Sequence, residues 1–91
     1  MVQLQVVYHG RVQGVGFRAT VRDAARSFRV AGWVRNEDDG TVTLTAQGDE
    51  FEVQGLLEEI QRRMGRFISA TDRLPCAVDD QLGTQGIEIR R

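Results

Sequence analysis

The chain of 91 residues contains no lysine, one histidine, one cysteine and one proline. Because all twelve basic residues are arginine, chemistry that requires a lysine amine, such as Schiff-base catalysis, is excluded. The lone Cys76 cannot form a disulfide within the chain, which agrees with a reducing compartment. Since no carboxylates stand at ligand spacing near the single histidine or cysteine, we expect no metal and no cofactor.

Long apolar runs and excess positive charge are also missing. No segment approaches the ~18 apolar residues of a membrane-spanning helix. The formal net charge is -1, which argues against a surface built for nucleic acid and means that any anion site must be local. The start, Met1 to Gln5, lacks the basic-then-apolar order of a secretory signal. We therefore expect a cytoplasmic protein that binds neither nucleic acid nor a membrane. A monomer is also expected, although no sequence pattern determines the oligomeric state.

Hydrophobic periodicity predicts the first four elements. Alternation over residues 2–8 indicates a half-buried strand, and the helical spacing of apolar residues over 17–28 indicates a helix. Residues 30–36 and 41–46 are rich in strand-forming types and are separated by Asp39-Gly40, a strong turn signal. The two segments should pair as a hairpin whose threonine face can tolerate water.

The second half of the chain gives a second helix and two weaker strands. Asp49 and Glu52 stand at the spacing of a capping box, and Gly65 is the expected stop of this helix. The stretch after it shows little pattern, and Pro75 forbids a central-strand position, so we expect an edge strand there. Residues 87–90 alternate and predict a short final strand.

This order of elements is the split βαβ pattern. It predicts an α+β, ferredoxin-like sandwich: an antiparallel sheet of four to five strands with two helices packed on one face. No repeat, linker or low-complexity segment interrupts the chain, so we expect residues 1–91 to form a single domain. The fold class by itself does not determine the activity.

The loop between the first strand and the first helix is the candidate anion site. It reads Gln13-Gly14-Val15-Gly16-Phe17-Arg18. Glycines there allow backbone N–H groups to turn inward, and a helix N-terminus presents unpaired donors with partial positive charge. A cation at Arg18 opposes the helix dipole, and this placement makes sense if an anion lies between them. A guanidinium can engage two phosphate oxygens at once.

A simpler interpretation of the same residues is a tight glycine turn followed by a solvated Arg18. Nucleotide-binding loops are a further possibility for a glycine-rich strand-to-helix connection. This loop lacks both the Gly-x-x-x-x-Gly-Lys and the Gly-x-Gly-x-x-Gly spacing, which excludes those two classes.

Three blocks of the chain resemble the signature of the acylphosphatase family. They are Gly10-Arg11-Val12-Gln13-Gly14-Val15-Gly16-Phe17-Arg18, Gly32-Trp33-Val34-Arg35-Asn36 and Asp39-Gly40-Thr41-Val42. The first block is highly specific. The likeness is nearly complete from Tyr8 to about Gly48 and looser towards residues 86–90, whereas residues 66–85 lack the clear valine-rich strand associated with the family.

The resemblance implies a metal-independent hydrolase of small acyl phosphates. Carried over to matching positions, it makes Arg18 the phosphate binder, Asn36 the residue that positions water, and Gln13 to Phe17 a backbone cradle for a phosphate or sulfate anion. The leaving carboxylate has a parent acid with a pKa of roughly 4, so it needs little help from a general acid. Without the resemblance, Asn36 would be interpreted as a turn-initiating residue.

The remaining polar and aromatic residues have simpler explanations. We expect His9 to be a strand-end surface residue, Cys76 to be no nucleophile, and Trp33 to lie in the core. Asp38 and Asp39 should be turn residues. Arg62, Arg63 and Arg66 should form a solvated helix end.

Two other functions use the same features. A phosphate pocket without turnover could serve as a sensor or as an accessory domain that handles carbamoyl phosphate for a larger enzyme. An open sheet face could bind RNA, although the threonines expected there do not form the aromatic signature of an RNA-recognition motif.

Overall fold

The computed structural model describes residues 1–83 and 85–91. The strands are β1 (Val2–Gly10), β2 (Val30–Asn36), β3 (Val42–Gly48), β4 (Ile68–Cys76) and β5 (Gly86–Arg90). The α-helices are α1 (Phe17–Ala25) and α2 (Glu50–Met64), and two 3-10 turns cover Gly65–Phe67 and Asp80–Leu82. Neither helix is long and apolar enough to cross a membrane.

The strands form one sheet in the order β4-β1-β3-β2-β5. The ferredoxin-like α+β fold is thus confirmed, with one difference in strand direction. The pairs β1–β3, β1–β4 and β2–β3 are antiparallel, but β5 runs parallel to β2, so the sheet is mixed. The reason is topological: the chain reverses after β4 and crosses to the opposite edge, where β2 already runs in the same direction.

The hydrophobic core lies between the two helices and one face of the sheet. The period of two along each strand directs alternate side chains to this face, and the helices add their apolar stripes. Its largest fully buried members are Val6, Val12, Phe17, Val21, Val30, Val34, Val42, Leu44, Val53, Leu56 and Ile60. Among them, Phe17 anchors the start of α1 and contacts Tyr8, with 5.0 Å between the ring centroids.

Trp33 lies on the opposite face of the sheet, so its expected place in the core is wrong. Its neighbours Gly32 and Val34 are buried, and the alternation of β2 therefore turns the indole away from the helices. The guanidinium groups of Arg35 and Arg90 each lie 4.9 Å from the centroid of the Trp33 ring. The two arginine guanidinium groups thus pack against the half-buried indole ring.

The threonine face of the hairpin is more buried than its composition suggests. Thr43 and Thr45 are only 4% and 6% exposed. The connection between β4 and β5 contacts this side of the sheet, where Asp79 and Gln47 exchange two hydrogen bonds of 2.7 and 3.0 Å. These bonds hold Asp79, in the connection between β4 and β5, against β3.

The N-terminus of α2 does not form the expected capping box. Asp49 is the N-cap residue but its side chain makes no capping hydrogen bond, and Glu52 instead accepts the backbone N–H of Arg29 at 2.8 Å. Gly65 follows the last helical residue, as expected. At that end Arg63 is not merely solvated, because it pairs with Glu59 at 2.6 Å and with Asp23 of α1 at 2.9 Å.

The stretch after α2 forms the expected edge strand. β4 is nine residues long, and Pro75 lies opposite Leu4 at the outer edge, where its missing N–H disrupts no central pairing. Most of its side chains are exposed, which explains the weak hydrophobic pattern of this region.

We predict that Gly32→Ala destabilises the protein by about 2 kcal/mol or more. Gly32 has a φ of 157°, and an added Cβ would lie 1.8 Å from the backbone oxygen of Thr45, which cannot move without breaking β2–β3 pairing. Urea unfolding measures the change. Gly65→Ala is the control, since Gly65 has a φ of -55° and only the end of the Gln61 side chain lies near its Cβ position. Equal stabilities of the two variants would contradict this packing.

Candidate active site

A pocket of about 210 Å³ lies at one end of the sheet. Because β2 and β5 are parallel, their carboxyl ends meet at the same edge, and the loop between β1 and α1 faces them there. The residues that line the pocket are Val12, Gly14, Gly16, Phe17, Arg18, Ala19, Asn36 and Ile89. Its volume suits a small ligand rather than a nucleotide or a polymer.

The loop holds a conformation that favours glycine at two positions. Gly14 and Gly16 have φ values of 77° and 78°, in the left-handed region. Among the described residues other than the chain neighbours, no heavy atom lies within 4 Å of a Cβ built at either position, so backbone conformation rather than lack of space requires glycine. Both residues line the pocket, where a missing side chain leaves the backbone accessible to a ligand.

The first turn of α1 is suited to an anion. Gly16 is the N-cap residue, no side chain caps the helix, and no acidic residue occupies its first turn. The carbonyl of Gly16 accepts the backbone N–H of Thr20 at 3.0 Å and its hydroxyl at 2.8 Å, which closes the first turn. The leading N–H groups of the helix and the positive end of its dipole therefore remain available to a negatively charged ligand.

Arg18 supplies the positive charge of the pocket. It is half-buried, and its Nη1 donates a hydrogen bond of 3.2 Å to the backbone carbonyl of Arg90 at the end of β5. Among the described residues that line the pocket, the others are uncharged. The contact to β5 restrains the guanidinium and leaves its other N–H donors for a ligand.

Asn36 is the last residue of β2 and lies in the same pocket. Its Oδ1 is buried and accepts no hydrogen bond within residues 1–83 and 85–91. Leaving a buried acceptor without a donor costs about 1–3 kcal/mol. Such a cost is commonly tolerated at functional sites, where a ligand or water supplies the donor.

The structure therefore brings together five residues of the predicted site, Gly14, Gly16, Phe17, Arg18 and Asn36. Gln13 and Val15 belong to the same loop but are not among the residues that line the pocket. Val15 packs against the core instead. The Gln13 side chain turns to the β2–β3 connection, where Nε2 donates to the carbonyls of Glu37 and Thr41 at 2.7 and 3.0 Å.

The connection after Asn36 is held by its carboxylates. Oδ1 of Asp39 accepts the backbone N–H and the hydroxyl of Thr41 at 3.0 and 2.7 Å, and these bonds lower the Asp39 pKa. Oε2 of Glu37 accepts the Thr43 hydroxyl at 2.6 Å. This bond, followed by those from Arg35, lowers the pKa of Glu37 below its ordinary value of 4.5.

Sequence reasoning missed three lining residues, Val12, Ala19 and Ile89, and the carbonyl of Arg90 that holds Arg18. Placing the final strand parallel to β2 would have identified Ile89 and Arg90, because that pairing puts the end of β5 beside the loop. His9 is a strand-end residue, as expected, and its Nε2 lies 2.8 Å from Oδ2 of Asp72. Within the described part of the chain, no three His, Cys, Asp or Glu side chains are grouped as metal ligands.

Comparison with known proteins agrees with the class that the fold and the pocket indicate. The family model described as Acylphosphatase matches residues 4–84. The chain belongs to the acylphosphatase family and is a hydrolase of that family.

Individual relatives support this assignment over the whole chain. An acylphosphatase of Oceanobacillus iheyensis is 42% identical over 72 residues, which cover 79% of each protein. One of Natronomonas pharaonis is 38% identical over 90 residues, or 99% of this chain and 96% of the relative. The crystal structure of acylphosphatase from Bacillus subtilis superimposes over 100% of both chains with a TM-score of 0.84 and 30% identity.

We predict that Glu37, which follows Asn36, makes the free energy of unfolding depend on pH. Its pKa is lower in the folded protein, so ionised Glu37 stabilises the fold at neutral pH, and the contribution is lost as the pH falls through the folded-state pKa. The difference in unfolding free energy between wild type and Glu37→Gln should thus be larger at pH 7 than at about pH 3. Urea unfolding at the two pH values measures it.

The control for this measurement is Glu58→Gln, at an exposed glutamate of α2 for which the described residues show no side-chain hydrogen bond. It should leave the pH profile of stability unchanged. A difference for Glu37→Gln that is equal at both pH values would refute the stabilising role of the ionised side chain.

Proposed function

We propose that the protein hydrolyses small acyl phosphates by direct attack of water on a phosphate that Arg18 and loop amides hold, with Asn36 positioning the water. The observation that carries the proposal is the shared pocket. Arg18, Asn36 and the residues at the uncapped start of α1 line one cavity of about 210 Å³, and the buried Oδ1 of Asn36 has no donor among the described residues. A doubly charged phosphate needs donors and positive charge, and a water molecule needs an acceptor that fixes its orientation.

Phosphate binding uses the loop and the guanidinium together. Backbone N–H groups of the loop and of the first turn of α1 donate to the phosphoryl oxygens, since no side chain or acidic residue competes for them there. Arg18 adds charge-assisted bonds with the donors that its contact to the Arg90 carbonyl leaves free. Charge that develops on the phosphoryl oxygens during transfer is stabilised by the same groups.

Asn36 orients the attacking water. An O–H of the water donates to Oδ1 of Asn36, which directs an oxygen lone pair at phosphorus. The water oxygen forms a bond to phosphorus while the bond from phosphorus to the acyl oxygen breaks, and the bonding electrons leave with the carboxylate. An amide cannot act as a strong base, so the water proton passes to a phosphate oxygen of the substrate. Products are the carboxylate and inorganic phosphate.

The chemistry places few demands on the rest of the site. Because the carboxylate is a good leaving group, neither a histidine nor a pair of carboxylates is required. Positioning and electrostatic stabilisation are the contributions that this pocket can make. Hydrolysis of acetyl or benzoyl phosphate should therefore continue in the presence of excess chelator. Tight phosphate binding without turnover would instead favour the sensor or accessory role.

Arg18→Gln should lower kcat/KM for an acyl phosphate by about 100-fold or more, chiefly through weaker binding. Inhibition by inorganic phosphate should weaken in parallel, because the same guanidinium binds substrate and product. Steady-state kinetics with phosphate as inhibitor measures both effects. Arg22→Gln is the matched control on the exposed side of α1 and should leave the kinetics unchanged. An unaltered phosphate affinity in Arg18→Gln would disprove its role.

Asn36→Ala should lower kcat by about 100-fold while phosphate still binds. The water loses its acceptor, but the loop amides and Arg18 remain. Turnover at saturating substrate, compared with the inhibition constant of phosphate, separates the two effects. Asp38→Ala, an exposed change in the adjacent turn, should keep the wild-type kcat. Full turnover by Asn36→Ala would rule out the positioning of water by this residue.

A further inference from the structure

Gln13 joins the phosphate loop to the connection that follows Asn36. Both of its Nε2 hydrogens are used, one on the Glu37 carbonyl at 2.7 Å and one on the Thr41 carbonyl at 3.0 Å. The Glu37 carbonyl belongs to the residue directly after Asn36. Gln13 thus ties the residue before Gly14 to the residue after Asn36, although its own side chain is not among those that line the pocket.

The turn that accepts the two hydrogen bonds from Gln13 is itself held by further hydrogen bonds. The Thr41 carbonyl also accepts the backbone N–H of Glu37 at 2.8 Å, and Asp39 fixes Thr41 through two further bonds. Hydrogen bonds to this turn therefore fix the position of the Gln13 side-chain amide.

The loop packs against the core through Val12 and Val15, whereas its two glycines lie on the open pocket side. Apart from the chain neighbours, the described residues place no heavy atom within 4 Å of the Cβ position of Gly14 or Gly16. The start of the loop is fixed by the buried Val12 and by the backbone N–H of Arg11, which donates to the Phe67 carbonyl at 2.9 Å. These contacts reach the core and β4, whereas the two bonds from Gln13 reach the turn that follows Asn36.

We propose that Gln13 is a positioning residue, whose side-chain amide sets the distance and angle between the loop amides that bind phosphate and the Asn36 amide that holds water. This inference rests on the proposed function. In-line attack requires the water and the phosphorus to be aligned, and a displacement of about 1 Å can cost 100-fold in rate. The two groups lie on separate elements, and the Gln13 side chain connects those elements directly.

The test begins with Gln13→Met, which keeps the length of the side chain and removes both donors. We expect kcat for an acyl phosphate to fall about tenfold or more, while the inhibition constant of inorganic phosphate changes less than about threefold. Phosphate affinity should persist because Arg18, Gly14 and Gly16 are intact. A wild-type kcat, or an equal loss of kcat and phosphate affinity, would overturn the proposal.

A second variant separates the loss of the two donors from the introduction of an apolar side chain. Gln13→Glu has the same shape, but its ionised carboxylate cannot donate, so its kcat at saturating substrate should fall as in Gln13→Met. If kcat falls only in Gln13→Met, the loss comes from the apolar side chain and the proposal fails. Gln61→Met, the same change at an exposed position of α2, should retain the wild-type kcat.

A double-mutant cycle with Asn36→Ala shows whether Gln13 acts through Asn36. If it does, Gln13→Met should lower kcat less than about twofold in the Asn36→Ala background, because no held water remains to be misaligned. The same fold-loss in both backgrounds would indicate a general structural role and would overturn the inference.

The proposed activity of the pocket and the positioning role of Gln13 can be disproved separately. Full activity of Asn36→Ala would remove the proposed function of the pocket whatever the Gln13 variants do. A low kcat of Asn36→Ala together with a normal kcat of Gln13→Met would reject the positioning role alone.

Discussion

The parallel pairing of β5 with β2 determines where the residues of the site meet. It brings the carboxyl ends of the two strands to one edge of the sheet, so that Asn36 and the Arg90 carbonyl face the start of α1 together. Phe17 anchors that start in the core, and the next residue, Arg18, reaches β5. A folded core, a helix dipole and a strand end thereby define a small pocket that combines apolar side chains with Arg18 and Asn36.

The groups available in this pocket are backbone N–H donors, one guanidinium and one side-chain amide rather than reactive nucleophiles or bases. The left-handed glycines and the uncapped helix start lie at the pocket together with a single guanidinium, and in the proposed function these groups bind the phosphate. Asn36 carries a buried acceptor that the described residues do not satisfy. Such preorganised groups suit a reaction whose leaving group departs easily and whose barrier lies in alignment and charge.

Much of this was predictable from the sequence because local chemistry agrees with the fold. The glycine spacing, the helical stripe after Phe17 and the Asp39-Gly40 turn predicted the loop, the start of α1 and the hairpin, although α1 ends at Ala25 rather than at residue 28. The wrong predictions concern residues whose positions depend on tertiary contacts. Glu52 binds a distant backbone N–H instead of capping α2, and Trp33 faces the arginines rather than the core. The parallel direction of β5 depends on the connection that crosses the sheet from β4, and no local sequence pattern predicts such a crossing.

Hydrolysis of an acyl phosphate in water labelled with the heavy oxygen isotope, followed by mass analysis of both products, shows which atom the water attacks. Attack of water on a phosphate held by Arg18 and the loop predicts that the label enters inorganic phosphate and not the carboxylate. Label in the carboxylate would mean that water attacks the carbonyl carbon. The pocket would then not perform the displacement at phosphorus for which its donors are arranged.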